Sequence, residues 1–296
     1  SRVVAKLGFG YKVLQPVNPS LILLSMPGIG REGPMRDIVS YGPTLEQMSG
    51  AASIEGYVDG PPQLSGALYP DPTSGILGAG AVLAALERRR RTGQGAYIEM
   101  PQLETTVGLI GEVFLDYQMN ARKPVRAGNT RASAAPHDAF PCLPFTGPDG
   151  AEQEGWVAIS VSTDQVFERL CAVIGRPDMV ADSRFSTSAA RHEREEELGG
   201  IISAWTKTQP QRAAMETLQR ADVPAGALLS APELLSDPHL TERHFFETAH
   251  HPEAGSFQVP GVQFKLSGTP GSVRTPAPTL GQHNGWVLSE LLGFSS

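Results

Sequence analysis

The sequence predicts an α/β layer architecture: a large domain followed by a smaller α+β domain. Three observations carry this. A short continuous apolar run, Leu21-Ile22-Leu23-Leu24-Ser25-Met26, stands between Asn18-Pro19 and Pro27-Gly28. Its length and flanks fit a strand in a sheet covered on both faces. A helical pattern opens near Asp71 and, after Thr92-Gly93-Gln94-Gly95, gives way to a second strand-like run, Ala96 to Met100. This helix–turn–strand succession fits an α/β layer. Finally, Trp156 to Val161 reads as a strand, and the amphipathic run after Asp164 begins a separate, mixed block.

The elements follow in order. Residues around Val13-Leu14 form a short helix or turn ending at Pro16. In the long helix, Asp71 is placed as N-cap and Pro72 as first helical residue. Ile76, Leu77, Gly80, Leu83, Ala84 and Leu86 recur at helical spacing, apolar or small throughout. Arg88 to Arg91 lie at its C-terminal end, where cations suit the helix dipole and a solvated helix end is the plain reading. One further helix is expected over Gln102 to Asn120. Residues 121–155, rich in Arg, Ala, Pro, Gly and Asp, read as linker and loops. Asp164 is placed as cap of a helix carrying Val166, Phe167, Leu170, Val173 and Ile174, closed by Gly175. Two helices split at Gln209-Pro210 follow, then strands and turns in the Pro/Gly-rich tail from Pro252 to Pro278, then a last helix near Gly285 to Leu292. The division is 1–120, 121–222 and 223–296, with no internal repeat.

Composition excludes several classes. The 296 residues are 40% hydrophobic and 19% charged, as in a globular chain. A net charge of −7 argues against a nucleic-acid partner, which needs a dense basic face. No apolar run approaches the ~18 residues that cross a bilayer. The N-terminus lacks the apolar core of a signal peptide. It also lacks an initiator Met, as expected of a start inside a longer protein. The two cysteines, Cys142 and Cys171, form no disulfide framework, which points to the reducing cytoplasm. Gly8-Phe9-Gly10 lacks the third glycine of a dinucleotide fingerprint, and neither a P-loop nor a GxSxG elbow occurs. His244, His250 and His251 match no metal-ligand spacing and read as a solvated loop. No metal site is expected.

Asp71, in Tyr69-Pro70-Asp71-Pro72-Thr73-Ser74-Gly75, has a plain reading as a helix cap. The glycine- and proline-rich approach from Asp59-Gly60-Pro61-Pro62 adds a second one, because such loops at the end of an α/β layer hold sites. The helix N-terminus favours an anion there. An ionised carboxylate can act as nucleophile and form covalent acyl intermediates.

The chain resembles the class III CoA-transferases, the family of formyl-CoA transferase and alpha-methylacyl-CoA racemase. The landmarks are Leu7-Gly8-Phe9-Gly10-Tyr11, Val17-Asn18-Pro19, Ser25 to Gly30, Tyr41 with Met48-Ser49-Gly50, Asp59 to Pro62, Asp71 to Gly75, Leu83 to Glu87 and Thr92 to Gly95. Later ones are Asp182 to Phe185, Ala221 to Gly226, Asp237 to Leu240, Ala277-Pro278 and Leu280 to His283. The resemblance implies a Rossmann-like large domain lacking its first βα units, a small α+β domain, a C-terminal return to the large domain, and an interlocked homodimer. It implies a transfer of CoA from an acyl-CoA donor to a carboxylic acid through an aspartyl-acyl anhydride and an aspartyl-CoA thioester, with no tightly bound cofactor. The nucleophile falls on Asp71, a CoA-phosphate contact on Lys6 and a tyrosine lining the CoA site on Tyr41.

Three departures matter. Relatives usually carry Arg at position 6, and Lys keeps the charge without the fork. A CoA-contacting lysine of formyl-CoA transferase falls on Val39, and that enzyme's glycine-rich covering loop has no counterpart in residues 140–155. Racemases carry a His-Asp pair where this chain has Tyr41-Gly42, so a two-base racemisation lacks one partner. The alternatives are a racemase or epimerase, or a truncated chain that only dimerises or binds acyl-CoA.

Overall fold

The computed structural model describes residues 2–147 and 150–294. Two compact units divide the chain between Arg131 and Ala132.

In the first unit, Ile22–Ser25 and Ala96–Glu99 pair in parallel, Ile22 opposite Ala96 and Ser25 opposite Glu99. Parallel strands need a crossover, and the 23-residue helix Pro70–Thr92 is its longest element. Pairing continues past the strand ends. The Met100 N–H donates to the Ser25 carbonyl (3.0 Å), Gln102 N–H to Pro27 (3.0 Å) and Leu103 N–H to Gly28 (2.8 Å). The start of the next helix, Gln102–Leu109, is thereby pinned to the end of the first strand.

The long helix starts earlier than expected. Pro70 is its first residue, Tyr69 flanks it, and Asp71 is the second helical residue with no capping hydrogen bond. Pro70 carries the φ that suits a first position. The Asp71 N–H already donates to the Leu68 carbonyl (3.2 Å) and the Thr73 N–H to Tyr69 (3.1 Å). Pro72 then costs nothing, since first-turn N–H groups have no partner within the helix. The helix ends at Gly93, whose φ of +73° suits glycine and whose N–H returns to the Arg89 carbonyl (2.8 Å).

The buried side of this helix is its small-residue side: Pro70, Ser74, Gly78 and Ala85. Gly78 lets Leu24, Met26 and Met100 approach so closely that a Cβ there would meet them at 3.1–3.2 Å. Ile76, Leu77 and Leu83 are exposed instead. At the C-terminal end, Arg90 and Arg91 pair with Glu87 at 2.9 and 2.7 Å. Arg88 is more than a solvated charge, because its Nη1 donates to the Gly95 carbonyl (2.7 Å). The single helix expected over 102–120 is two, Gln102–Leu109 and Gly111–Asn120, broken at Ile110 (φ −105°, ψ 29°).

The second unit is built on a three-stranded antiparallel sheet in which Trp156–Ser160 lies between His137–Pro141 and Ala225–Ala227. The strand at 137–141 corrects the reading of 121–155 as loops. Residues 148 and 149 lie outside the described residues; on either side of them Phe145–Thr146 pairs with Glu152–Gln153. The helix Asp164–Val173 follows as expected, but its cap is Thr163, whose side chain accepts the Val166 N–H. Glu195–Thr206 and Gln211–Arg220 flank Pro210. Val157, Ile159, Phe167, Leu170, Phe185, Leu198, Ile202 and Leu218 form the core between sheet and helices. Beyond it come two short helices, Ala231–Leu235 and Pro238–Glu242. The hairpin Phe246–His251 with Gly255–Pro260 and a π-helical segment, Trp286–Leu291, complete the described chain.

Arg191 locks this unit. It is fully buried. Its Nε donates to the Ala135 carbonyl (2.8 Å), Nη1 to the Phe185 carbonyl (3.0 Å) and Nη2 to Asp164 (2.8 Å). The guanidinium lies over the Phe167 ring at 4.5 Å. Among the described residues, no helix is long and apolar enough to cross a membrane.

Candidate active site

Three helix N-termini meet at Asp71. Its own helix contributes the first turn. The second is Gly42–Ser49, flanked by Tyr41. A Cβ at Gly42 would stand only 2.5 Å from Asp71 Oδ2 and 3.2 Å from the Leu68 Cβ, so a side chain at this position would push the carboxylate aside. The third is Gln102–Leu109, whose first residue donates from Nε2 to Asp71 Oδ1 at 3.3 Å. The three helices pack on one another. One turn beyond, Ser74 Oγ and Thr105 Oγ1 are 2.7 Å apart and brace the two helices that carry Asp71 and Gln102. Each N-terminus brings partial positive charge, so the carboxylate sits where anions, including oxyanions formed on it, are stabilised.

The loop that delivers Asp71 is held from below by Glu46, on the same helix as Gly42. Glu46 is 1% exposed. Its carboxylate accepts the Ser65 N–H (3.1 Å), the Tyr69 N–H (3.0 Å) and the Ser65 hydroxyl. The half-buried Glu55 carboxyl is pushed above its usual range, first by desolvation and then by the charge of Glu46. Glu46→Ala leaves two backbone N–H groups without their acceptor. The expected loss is about 2–3 kcal/mol of unfolding free energy, read as a lower urea midpoint at unchanged slope.

The residues named from the sequence are only partly brought together. Tyr41 is exposed and flanks the helix that Gly42 begins. Lys6 ends the first helix, Arg2–Lys6, exposed; no hydrogen bond among the described residues joins it to Asp71 or Tyr41. Its neighbours Val4 and Ala5 line a cavity of about 260 Å³ with Tyr11, Ser25, Arg31 and Tyr97. Val39 is exposed. Glu46 and Gln102 were not singled out by sequence reasoning, and Gly42 entered it only as the position where racemases carry Asp. Gly42 does follow a landmark tyrosine, and Glu46 is a lone carboxylate beside Leu45 in an otherwise uncharged helix.

Other nucleophiles and ligands lead elsewhere. Burial pushes the Cys171 thiol up to about 11 and raises Cys142 as well, which makes both poor thiolate sources. His250 Nδ1 is 2.7 Å from Ser256 Oγ, and His251 Nδ1 accepts the Glu253 and Ala254 N–H groups. Among the described residues no group of three His, Cys, Asp or Glu is arranged to hold a metal.

The profile described as CoA-transferase family III matches residues 1–284. The chain belongs to CoA-transferase family III. Its sequence is 34% identical over 288 residues to the succinyl-CoA–D-citramalate CoA-transferase of Chloroflexus aurantiacus, covering 97% of this chain and 69% of that protein. It is 30% identical over 309 residues to the formyl-CoA:oxalate CoA-transferase of Streptomyces avermitilis, covering 98% and 72%. Among solved structures, a CAIB/BAIF family protein from Brucella suis superposes with a TM-score of 0.85 at 25% identity, covering 98% of this chain and 73% of that one. The α/β fold expected from the sequence is thus the fold of the family. The chain is a family III CoA-transferase, and such enzymes use CoA thioesters as substrates.

Proposed function

We propose that this chain moves CoA from an acyl-CoA donor to a carboxylic acid acceptor, with Asp71 as nucleophile. The observation that carries this is the convergence of three helix N-termini on one carboxylate. An Asp71 oxygen attacks the thioester carbonyl; a C–O bond forms, the C–S bond breaks, and CoA leaves as thiolate. The thiolate then attacks Asp71 Cγ, forming the aspartyl-CoA thioester and breaking the anhydride, so the donor acid departs. The acceptor carboxylate runs the same two steps in reverse. Atoms balance without water, redox equivalents or a further cofactor. At both carbonyl centres negative charge develops beside the helix N-termini, which is where preorganised dipoles accelerate acyl transfer.

In this reading Lys6 and Tyr41 contact CoA, two copies form the interlocked dimer, and the enzyme works in the cytoplasm. The relatives' names make succinyl-CoA the first donor to try. The test incubates the purified chain with succinyl-CoA and an isotopically labelled dicarboxylic acid. The expected outcome is CoA on the labelled acid, with hydroxylamine trapping a hydroxamate at Asp71. Solvent deuterium entering the acyl α-carbon without any acceptor would replace this reading by a racemase. Acyl-CoA binding with no turnover of either kind would reduce the chain to a binding protein.

A further inference from the structure

The two oxygens of Asp71 have different surroundings. Oδ2 faces the bare Cα of Gly42. Oδ1 receives the side-chain amide of Gln102. That amide is held by its backbone on both sides: the Gln102 N–H is anchored to the Pro27 carbonyl at 3.0 Å. The Gln102 carbonyl accepts the hydroxyls of Thr105 (2.7 Å) and Thr106 (2.8 Å). The Ser74–Thr105 contact one turn along fixes the spacing between the two helices. Gln102 is therefore aimed at the carboxylate from a rigid base, which is how a donor contributes without reorganising during the reaction.

We infer that Gln102 is a catalytic residue, the donor that stabilises the oxyanion formed on Asp71 Oδ1 when CoA thiolate attacks the aspartyl carbonyl. This rests on Asp71 being the nucleophile. When Oδ2 bonds to the donor acyl group, Oδ1 keeps the carbonyl character. Thiolate sulfur then bonds to Cγ and the π electron pair moves onto Oδ1. The Gln102 N–H holds that charge until the Cγ–Oδ2 bond breaks and the donor acid leaves with Oδ2. The acceptor acid meets the same oxyanion on its way in. Gln102 acts on the covalent enzyme, not on the first encounter with acyl-CoA, so it affects turnover more than substrate binding. A donor at 3.3 Å in the free enzyme has room to shorten as charge builds on its acceptor.

The test uses Gln102→Met, which keeps length and helix propensity but has no N–H, and Gln102→Glu. The Met variant should lose about 10²-fold in kcat, the scale set by removing one oxyanion donor, with KM for acyl-CoA unchanged. Rapid quench with hydroxylamine should show the acyl anhydride accumulating in place of the aspartyl-CoA thioester. The Glu variant should be as slow at neutral pH, where a second carboxylate adjoins Asp71. It should regain rate as pH falls and its carboxyl becomes an O–H donor, a recovery that neither wild type nor the Met variant displays. Wild-type kcat in the Met variant would overturn the inference. So would equal losses in kcat and acyl-CoA binding, or a Glu variant with no acid recovery. If instead no hydroxamate forms at Asp71 in the wild type, it is the nucleophile assignment that fails.

Discussion

Asp71→Asn is expected to abolish CoA transfer, by on the order of 10⁴-fold or more, the scale at which single members of an acyl-transfer site act. Asn has the same shape. It can still accept from Gln102 and fit under Gly42, so the packing of the three helices persists. What it lacks is an anionic oxygen able to open the thioester. The variant should therefore unfold like wild type and bind acyl-CoA with little change. It should yield no hydroxamate with hydroxylamine and exchange no CoA with labelled acid. Exchange at the wild-type rate would remove Asp71 from the chemistry.

Arg191→Met is expected to destabilise the second unit by about 2–4 kcal/mol, the cost of leaving two buried carbonyls without their donor. Met fills much of the volume, so the loss is electrostatic more than steric. The Ala135 and Phe185 carbonyls lose their donors inside the core, and each unpaired buried acceptor carries its own penalty. Asp164 is largely exposed and returns to water without such a cost. Lys at this position keeps the charge but has no fork, so it cannot reach all three acceptors and should recover only part of the loss. Urea unfolding read at Trp156 and Trp205, both in this unit, measures the effect. A midpoint equal to wild type would show that the three hydrogen bonds are not worth their desolvation.

The strand at 22–25 is readable because a continuous apolar run between two prolines is too short for a helix. The parallel partner at 96–99 is readable as a short run set between Gly95 and Pro101. The start of the long helix is not, because Pro70 and Pro72 both fit a first turn and the two registers differ by two residues. Periodicity marks Ile76, Leu77 and Leu83 as a stripe but does not say which side of the helix meets the sheet. The Gly78 side wins because only small residues let Leu24 and Met100 come so near. His137–Pro141 has no alternation of its own, and its pairing with Trp156–Ser160 makes it a strand.

At the site, Asp71 was visible because its flanking motif is local. Glu46 and Gln102 act across separations of 19 to 31 residues. No window of the sequence contains both partners, and each side chain alone is an ordinary polar residue on a helix.

Gly42 ties position 42 to position 71. A Cβ at 42 would stand 2.5 Å from Asp71 Oδ2, the far end of a side chain that can turn, so a larger residue at 42 is admitted only if the Asp71 carboxylate swings aside. The orientation of Asp71 is thus set in part by an atom that is absent from another helix.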